Sequence, residues 1–183
     1  MCLPSNIILL GFMGSGKTST GKELSKLTGF QFVDTDYWIE EKNKKKITKI
    51  FEEEGELFFR HQEKEAIEWL KTLKKHVVST GGGIWMDEIN REKLQNEGWC
   101  VWLKVTAPMA LQRVGSTLSQ RPLLARSNNP GRIIEKLLAE REPCYSLAQA
   151  SFETDGKTPG EVALEIFQYI KRKPPFDLSE MQE

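Results

Sequence analysis

The sequence has few of the residues that build disulfide frameworks and metal centres. Its 183 residues contain three cysteines and two histidines, and none of these forms a C-x-x-C pair or a pair at zinc-ligand spacing. An odd number of widely separated cysteines predicts reduced thiols and therefore a cytoplasmic protein. No apolar run approaches the roughly 20 residues of a membrane-spanning helix, and the N-terminus lacks a signal-peptide pattern. We therefore expect neither a secreted disulfide-rich domain nor a membrane protein.

Charge of one sign is also lacking. The 26 Lys and Arg residues equal the 26 Asp and Glu residues in number, so the formal net charge is zero. No long-range attraction to nucleic acid or to an anionic membrane follows from that balance. The basic cluster at residues 43–46 (NKKK) is interpreted as a solvated helix end rather than a partner-binding patch. We expect small-molecule ligands, with no nucleic-acid partner and no membrane partner.

A complete phosphate-binding loop is present near the N-terminus. Residues 11–18 read GFMGSGKT and match the form G-x-x-x-x-G-K-[ST], between an apolar run and a helix-like segment from about Thr18 to Leu27. Backbone N–H groups and the helix dipole attract phosphate at such a helix N-terminus. Lys17 can reach the β- and γ-phosphates, and the Thr18 hydroxyl can ligate Mg²⁺. The loop predicts binding of a nucleoside triphosphate.

Short apolar runs alternate with longer amphipathic segments along the chain. This alternation predicts an α/β fold of three layers (α/β/α), with helices on both faces of a parallel sheet of five strands. The predicted strands are Asn6–Leu10, Gln31–Asp34, His76–Thr80, Trp99–Lys104 and Ser151–Glu153. A polar insert at about residues 115–131 interrupts the alternation and is interpreted as a lid. We expect one domain over residues 1–172 and a mobile tail over residues 173–183.

Three features narrow the class of nucleotide-binding protein. The absence of an Asn-Lys-x-Asp motif counts against a GTPase. Asp34 and Asp36 end the second predicted strand, and alternation along an extended strand would put both carboxylates on one side, near the phosphate-binding loop. They could equally cap the helix that begins near Tyr37. Three glycines at residues 81–83 follow the third strand, where they could admit a ligand to the backbone or form a flexible turn.

In this order, these residues resemble the shikimate kinase family over about Ile7 to Ile170. The resemblance rests on the motifs GFMGSGKT (11–18), DTD (34–36), IF (50–51), GExxFR (55–60), GGG (81–83), RPLL (121–124) and RxPxY (141–145). It implies a P-loop kinase of nucleoside monophosphate kinase-like architecture with a mobile lid, acting as a monomer. The implied reaction is ATP- and Mg²⁺-dependent phosphorylation of the 3-hydroxyl of shikimate, giving 3-phosphoshikimate and ADP in chorismate and aromatic amino acid biosynthesis.

The resemblance also implies roles for individual residues. Asp36 would accept the proton of the attacking hydroxyl, while Lys17 and the lid residue Arg121 would stabilise charge on the transferring phosphoryl group. Thr18 and Asp34 would hold Mg²⁺, and Arg113 would stack on adenine. The nucleotide set is Gly14, Ser15, Gly16, Lys17, Thr18, Ser19, Arg113, Arg121 and Lys157, and the shikimate set is Asp36, Arg60, Gly81, Gly82, Gly83 and Arg141.

Alternatives remain open from the residues alone. Arg60 could be a salt-bridged helix residue, and Phe51 and Phe59 could be ordinary core rather than pocket residues. A P-loop kinase acting on gluconate or on a nucleoside monophosphate would share the phosphate-binding loop. A regulatory nucleotide-binding module without catalysis would share it too, although intact Lys17 and Asp36 argue against that.

Overall fold

The computed structural model describes residues 4–115 and 129–172. Its sheet has five parallel strands in the order β2-β3-β1-β4-β5. The strands are β1 Asn6–Leu10, β2 Gln31–Asp34, β3 His76–Ser79, β4 Trp99–Lys104 and β5 Ala150–Glu153. These bounds agree with the predicted strands to within one residue at each end, so the strand prediction is confirmed.

Helices cover both faces of the sheet. They are α1 Lys17–Thr28, α2 Thr35–Asn43, α3 Ile47–Glu53, α4 Gly55–Leu70, α5 Glu88–Glu97, α6 Ala107–Val114, α7 Pro130–Tyr145 and α8 Pro159–Arg172, with a short 3₁₀ turn at Ile84–Met86. No helix within the described parts of the chain is long and apolar enough to cross a membrane.

The three layers follow from the alternation of side chains along the central strand β1. Ile7 and Leu9 point into one apolar core, which α1 and α8 close. Ile8 and Leu10 point into the other core, to which α4, α5, α6 and α7 contribute. Successive residues of a strand face opposite sides of the sheet, so the apolar run of residues 7–10 in β1 must be covered on both faces. The predicted α/β/α layering is confirmed.

The strand order brings three loops together at the carboxyl edge of the sheet. Strand β1 lies between β3 and β4, and β2 lies beyond β3. The backbone N–H of Thr80 donates to the carbonyl of Leu9, which fastens the end of β3 to the end of β1. The segments that follow β1, β2 and β3 therefore lie side by side, at the edge where ligands bind in open parallel sheets.

The phosphate-binding loop needs glycine where it enters α1. Gly16 caps the helix with φ of 86°, a left-handed conformation that costs glycine little. Gly11 has φ of 140°, and a β-carbon there would lie 2.5 Å from the carbonyl oxygen of Leu103 on the neighbouring strand. The spacing of glycines in the motif thus follows from backbone geometry and packing against β4.

The basic cluster lies where the sequence places it, at the exposed end of α2. Lys45 pairs with Glu53 and Glu54, and Lys46 pairs with Glu40, all at the surface. These contacts agree with a solvated helix end. The predicted tail lies outside the described residues, as do residues 116–128 of the predicted lid.

Candidate active site

One pocket of about 310 Å³ opens beside the phosphate-binding loop. It is lined by Gly14, Ser15, Gly16, Ser19, Thr20, Arg113, Thr154, Lys157, Pro159 and Val162. Six residues of the predicted nucleotide set therefore share this pocket, although they come from the loop, from α1, from α6 and from the turn before α8. We call it the nucleotide pocket.

Arg113 joins the two sides of the nucleotide pocket. Its guanidinium donates to the carbonyl oxygen of Gly14 at 3.1 Å and to the hydroxyl and carbonyl oxygens of Thr154 at 3.0 and 2.6 Å. Gly14 belongs to the phosphate-binding loop, whereas Thr154 directly follows β5. The predicted base-stacking residue is thus held in a fixed orientation at the pocket wall.

The far wall of the nucleotide pocket contains Lys157 and Pro159. Lys157 Nζ lies 2.7 Å from a carboxylate oxygen of Glu165 on α8, which fixes its half-buried side chain. Sequence reasoning missed Pro159, the first residue of α8. Its available signal was a proline at a helix start, directly after the capping Thr158.

Lys17, Thr18 and Asp34 lie between the loop and the end of β2. Lys17 Nζ donates to the carbonyl oxygens of Gly11 and Phe12, each at 2.9 Å. The Thr18 hydroxyl donates to Asp34 Oδ2 at 2.9 Å and lies 3.3 Å from the Ser79 hydroxyl. The predicted metal pair, Thr18 and Asp34, is therefore in direct contact.

The expected alignment of Asp34 and Asp36 along one strand is wrong. Strand β2 ends at Asp34, and Asp36 lies in the first turn of α2. The chain turns there because Asp34 Oδ1 accepts hydrogen bonds from the backbone N–H groups of Asp36 and Tyr37. Asp34 thus caps α2 with one oxygen and faces Thr18 with the other, so the capping alternative is compatible with a metal-binding role.

A second pocket of about 110 Å³ lies across the loop from the first. It is lined by Met13, Asp36, Ile47, Phe51, Phe59, Arg60, Glu63, Gly81, Gly82, Gly83 and Arg141. The whole predicted shikimate set lies in this pocket, which we call the acceptor pocket. Phe51 and Phe59 are both pocket and core residues, because their rings also pack against each other in a tilted arrangement, with 4.7 Å between ring centres.

The triple glycine forms the floor of the acceptor pocket. The Gly81 N–H donates to the Thr35 hydroxyl at 3.0 Å, and the Gly82 carbonyl accepts from the Tyr145 hydroxyl at 2.6 Å. A β-carbon at Gly81 would lie 2.6 Å from Asp36 Oδ1. The glycines therefore allow side chains from α2, α4 and α7 to approach one short segment of backbone.

Arg60 is ion-paired with two carboxylates of its own helix. Its Nε and Nη2 donate to Glu56 Oε1 at 3.2 and 2.8 Å, and its Nη1 donates to Glu63 Oε2 at 2.7 Å. Burial would lower the pKa of Arg60, but Glu63 and Glu56 outweigh that effect and raise it. The salt-bridge alternative and the pocket position are both correct for this residue.

Glu63 is the functional candidate that sequence reasoning missed. Its side chain is 2% exposed, and burial raises the pKa of its carboxyl although Arg60 and Arg141 oppose that shift. The signal for it was its spacing on α4: it lies four residues after Phe59 and four before Ile67, so the helical period puts it on the buried apolar face. Buried acidic residues with a shifted pKa cluster at functional sites.

Arg141 reaches the acceptor pocket from α7. Its Nη1 lies 3.5 Å from the Gly82 carbonyl oxygen, and its guanidinium stands over the Phe12 ring at 5.7 Å. Beside it, burial raises the pKa of Tyr145 to about 12, so that hydroxyl stays protonated as a donor to Gly82. Among the described residues, Arg141 has no salt bridge to a carboxylate within 4.0 Å, in contrast to Arg60.

A protein-family model described as shikimate kinase matches residues 13–171 of the chain. The chain belongs to the shikimate kinase family. The resemblance inferred from the motifs is therefore confirmed.

Curated and solved members of the shikimate kinase family agree with the match. The chain is 43% identical to the shikimate kinase of Moorella thermoacetica over 92% of its own length and 96% of that protein. A shikimate kinase structure from Acinetobacter baumannii in complex with shikimate superposes with a TM-score of 0.86 at 37% identity, covering 98% of this chain and 96% of that one. The Aquifex aeolicus shikimate kinase gives a TM-score of 0.79 at 32% identity, covering 91% and 96% of the two chains.

More distant kinases share only the fold. A gluconokinase from Sinorhizobium meliloti superposes with a TM-score of 0.60 at 16% identity, covering 94% of both chains. The P-loop kinase architecture predicted from the sequence is confirmed by these structures. The gluconate alternative gains no support from so low an identity.

The roles of single residues in this shikimate kinase family member stay predictions. All of the predicted site residues except Arg121 lie in the described part of the chain, at the two pockets or between them. Arg121 lies outside the described residues, and its role at the lid stays a prediction.

Substituting Gly83 is expected to weaken acceptor binding. A β-carbon at Gly83 would overlap Arg60 Nη1, so Gly83→Ala must displace the guanidinium. We expect KM for the acceptor to rise about tenfold or more, since one displaced charged hydrogen bond is worth about 1.5–3 kcal/mol. Gly160→Ala is the matched control, because a β-carbon there meets no atom within 4 Å. A KM that is the same in both variants would contradict this role of Gly83.

Proposed function

We propose that this chain transfers the γ-phosphoryl group of ATP to the 3-hydroxyl of shikimate, giving 3-phosphoshikimate and ADP. The observation that carries the proposal is the acceptor pocket itself. It contains two arginines, Arg60 and Arg141, and the carboxylate of Asp36 as well as that of Glu63, and Met13 of the phosphate-binding loop lines it too. A ring that bears hydroxyls and a carboxylate needs a hydroxyl acceptor and cationic forks of this kind.

The nucleotide pocket would bind ATP with its phosphates at the start of α1. Backbone N–H groups of the loop and the dipole of α1 favour an anion there. Lys17 would exchange its hydrogen bonds to Gly11 and Phe12 for phosphate oxygens, which keeps the ammonium group solvated by oxygen throughout. Arg113, Lys157 and Pro159 would enclose the base.

The contact between Thr18 and Asp34 fits a magnesium ion. Hydroxyl and carboxylate oxygens are the ligands that Mg²⁺ prefers, and Mg²⁺ takes few protein ligands beside phosphates and water. No cluster of three His, Cys, Asp or Glu residues suited to a metal occurs in residues 4–115 and 129–172, which agrees with so sparse a ligand set. Thr18 would hold the ion directly and Asp34 through water. When bound, Mg²⁺ neutralises charge on the phosphates.

The acceptor pocket would orient shikimate, and a carboxylate in the pocket would accept the proton of the attacking hydroxyl. Arg60 and Arg141 would bind the carboxylate and so fix the ring against the glycine floor. The 3-hydroxyl oxygen attacks the γ-phosphorus, the bond to the leaving ADP oxygen breaks, and Asp36 accepts the hydroxyl proton. Lys17, with Arg121 from the lid, would stabilise charge on the transferring oxygens. Because the chemistry is mainly positioning, both pockets must be filled together.

Truncating Arg141 is expected to raise KM for shikimate with little effect on folding. The loss of a charge-assisted hydrogen bond costs about 1.5–3 kcal/mol, which corresponds to a rise in KM of roughly tenfold to a hundredfold for Arg141→Ala. Arg60→Ala should also lower the melting temperature, because it leaves Glu63 buried without its cation. Steady-state kinetics and thermal unfolding of both variants test this difference. An unchanged KM in Arg141→Ala would remove Arg141 from the carboxylate site.

We further propose that the chain acts as a cytoplasmic monomer on small molecules, without a nucleic-acid or membrane partner. The thiols of Cys100 and Cys144 are free, as a reducing compartment requires. Size-exclusion chromatography with light scattering would give a mass near 21 kDa for a monomer.

The direct test is release of ADP with ATP and Mg²⁺, comparing shikimate, gluconate, a nucleoside monophosphate and no acceptor. Release that depends on shikimate supports the proposed reaction. Release that depends on gluconate or on the nucleotide would retain the kinase and overturn the carboxylate assignment of Arg60 and Arg141. Nucleotide binding without ADP release in any mixture would favour a regulatory module instead.

A further inference from the structure

The charges around the acceptor pocket do not favour an incoming anion. Two cations line the pocket, Arg60 and Arg141, and two carboxylates line it as well, Asp36 and Glu63. A third carboxylate, Glu56, lies against Arg60 at 2.8 Å. With all five ionised, the described side chains sum to one negative charge, and a substrate carboxylate would add another. Like charges in a partly desolvated site raise the pKa of the least stabilised acid.

Glu63 is the most buried carboxylate of the three: its side chain is 2% exposed, whereas Asp36 is only partly buried. Its Oε2 pairs with Arg60, but its Oε1 is buried and accepts no hydrogen bond from the described residues. Glu56, in contrast, is 57% exposed and remains solvated while it contacts the same guanidinium. A buried ionised carboxylate is stable only with partners on both oxygens. Glu63 lacks a partner on Oε1, so protonation at Oε1 costs the least free energy.

A second carboxylate oxygen lies close to that atom. A β-carbon at Gly81 would lie 3.2 Å from Glu63 Oε1 and 2.6 Å from Asp36 Oδ1, so both oxygens approach the same point on the pocket floor. The charged or titratable groups that act on Glu63 come from three helices: Glu56 and Arg60 from α4, Asp36 from α2, and Arg141 and Tyr145 from α7. Only the two arginines favour its ionised form.

We propose that Glu63 takes up a proton from the solvent when shikimate binds. The side chains of the acceptor pocket then carry one negative charge fewer while they hold the substrate carboxylate. The proposal rests on the proposed function, since it needs a carboxylated acceptor on Arg60 and Arg141. A substrate carboxylate that shares Arg60 withdraws part of the cation's stabilisation from Glu63. The neutral acid keeps its contact to Arg60 through Oε2, while the protonated Oε1 becomes a donor at the pocket floor.

Proton uptake gives shikimate affinity a defined dependence on pH. In the complex the pKa of Glu63 lies above its value in the free protein, so affinity is greatest below the lower of these two pKa values. The affinity falls as the pH rises from the pKa of the free protein to the pKa of the complex, by up to about tenfold for each pH unit. Above both values the affinity is constant and low.

Calorimetric titration of the full chain with shikimate tests the proposal. The binding enthalpy would be measured in buffers of different ionisation enthalpy, such as phosphate and Tris, at several pH values between about 5.5 and 8.5. We expect the enthalpy to vary with the buffer in proportion to an uptake of as much as one proton per bound shikimate. Glu63→Gln copies the neutral acid, so it should bind shikimate with an enthalpy independent of the buffer and with affinity independent of pH.

Two further variants distinguish Glu63 from its neighbours. Glu56→Gln removes the exposed carboxylate on the same arginine, and Asp36→Asn removes the other oxygen at Gly81. Each removes a negative charge near Glu63, so each should shift the uptake to lower pH without abolishing it. If Glu63→Gln does not fold, the wild-type buffer series and these two variants still decide the matter, since uptake abolished at every pH in either one assigns the proton to that residue and overturns the proposal.

Three outcomes would contradict the proposal, and the measurements distinguish them from one another. Shikimate binding with the same enthalpy in every buffer would overturn the proton uptake and leave the proposed function intact. A Glu63→Gln protein that folds yet loses affinity about a hundredfold at every pH would show that ionised Glu63 anchors Arg60, and would also overturn it. No detectable binding of shikimate to wild type would overturn the proposed function and the inference together.

Discussion

Asp36→Asn is expected to lower kcat by about 10²- to 10⁴-fold, the usual contribution of a positioned general base. The amide keeps the shape of the side chain but cannot accept the hydroxyl proton. Affinity for ATP should be unchanged, because Asp36 lines the acceptor pocket and not the nucleotide pocket. The measurement is kcat for shikimate-dependent ADP release, with ATP affinity from calorimetry.

Glu41→Gln is the matched control for Asp36→Asn. Glu41 lies on the same helix, is 56% exposed and pairs only weakly with Lys44 at 3.4 Å, so its kcat should equal that of wild type. A kcat for Asp36→Asn within a few-fold of wild type, with the fold intact by thermal unfolding, would exclude Asp36 as the proton acceptor.

Lys17→Met is expected to reduce kcat by about 10²- to 10³-fold, the scale of removing one preorganised donor to transition-state charge. ATP affinity should fall as well, because the ammonium group would contact phosphate in the ground state. The side chain of Met replaces the length of Lys without its charge, so the loss reports the cation. Kinetics and ATP titration of the variant give the two effects separately.

Lys22→Met on the exposed side of α1 is the control for Lys17→Met. Lys22 lies 6.0 Å from the centre of the Phe32 ring and lines neither pocket, so ATP affinity and kcat should both be retained. Equal kinetics in the two variants would mean that the phosphate-binding loop acts through its backbone alone.

The fold could be predicted because its signals are local. An uninterrupted apolar strand predicts burial on both faces, and β1 is covered on both. The loop motif places a strand before it and a helix after it, and both are present as β1 and α1. Alternation of strands and helices then restricts the sheet to parallel order.

The sequence predicted residues that line the two pockets, but it did not predict how Asp34 and Asp36 are arranged. Asp36 was expected on an extended strand, whereas Asp34 turns the chain by capping α2. The choice depends on two hydrogen bonds to backbone N–H groups, which the residue letters permit but do not require. Asp36 still reaches the pocket, because the first turn of α2 lies over Gly81.

Glu63 could not be ranked from the sequence alone. A Glu three residues after an Arg on a helix is most often a surface ion pair of small energy. What distinguishes Glu63 is the contact of α4 with the glycine floor, a long-range arrangement that places the carboxylate under Gly81. The same holds for Pro159, whose pocket position depends on α8 packing against α1.

Arg113 gives the nucleotide pocket a fixed span. Its guanidinium donates to Gly14 and to Thr154, two residues on separate segments of the chain. One side chain therefore holds the phosphate-binding loop against the segment that follows β5. Loss of Arg113 would loosen the loop from that segment as well as remove part of the pocket wall.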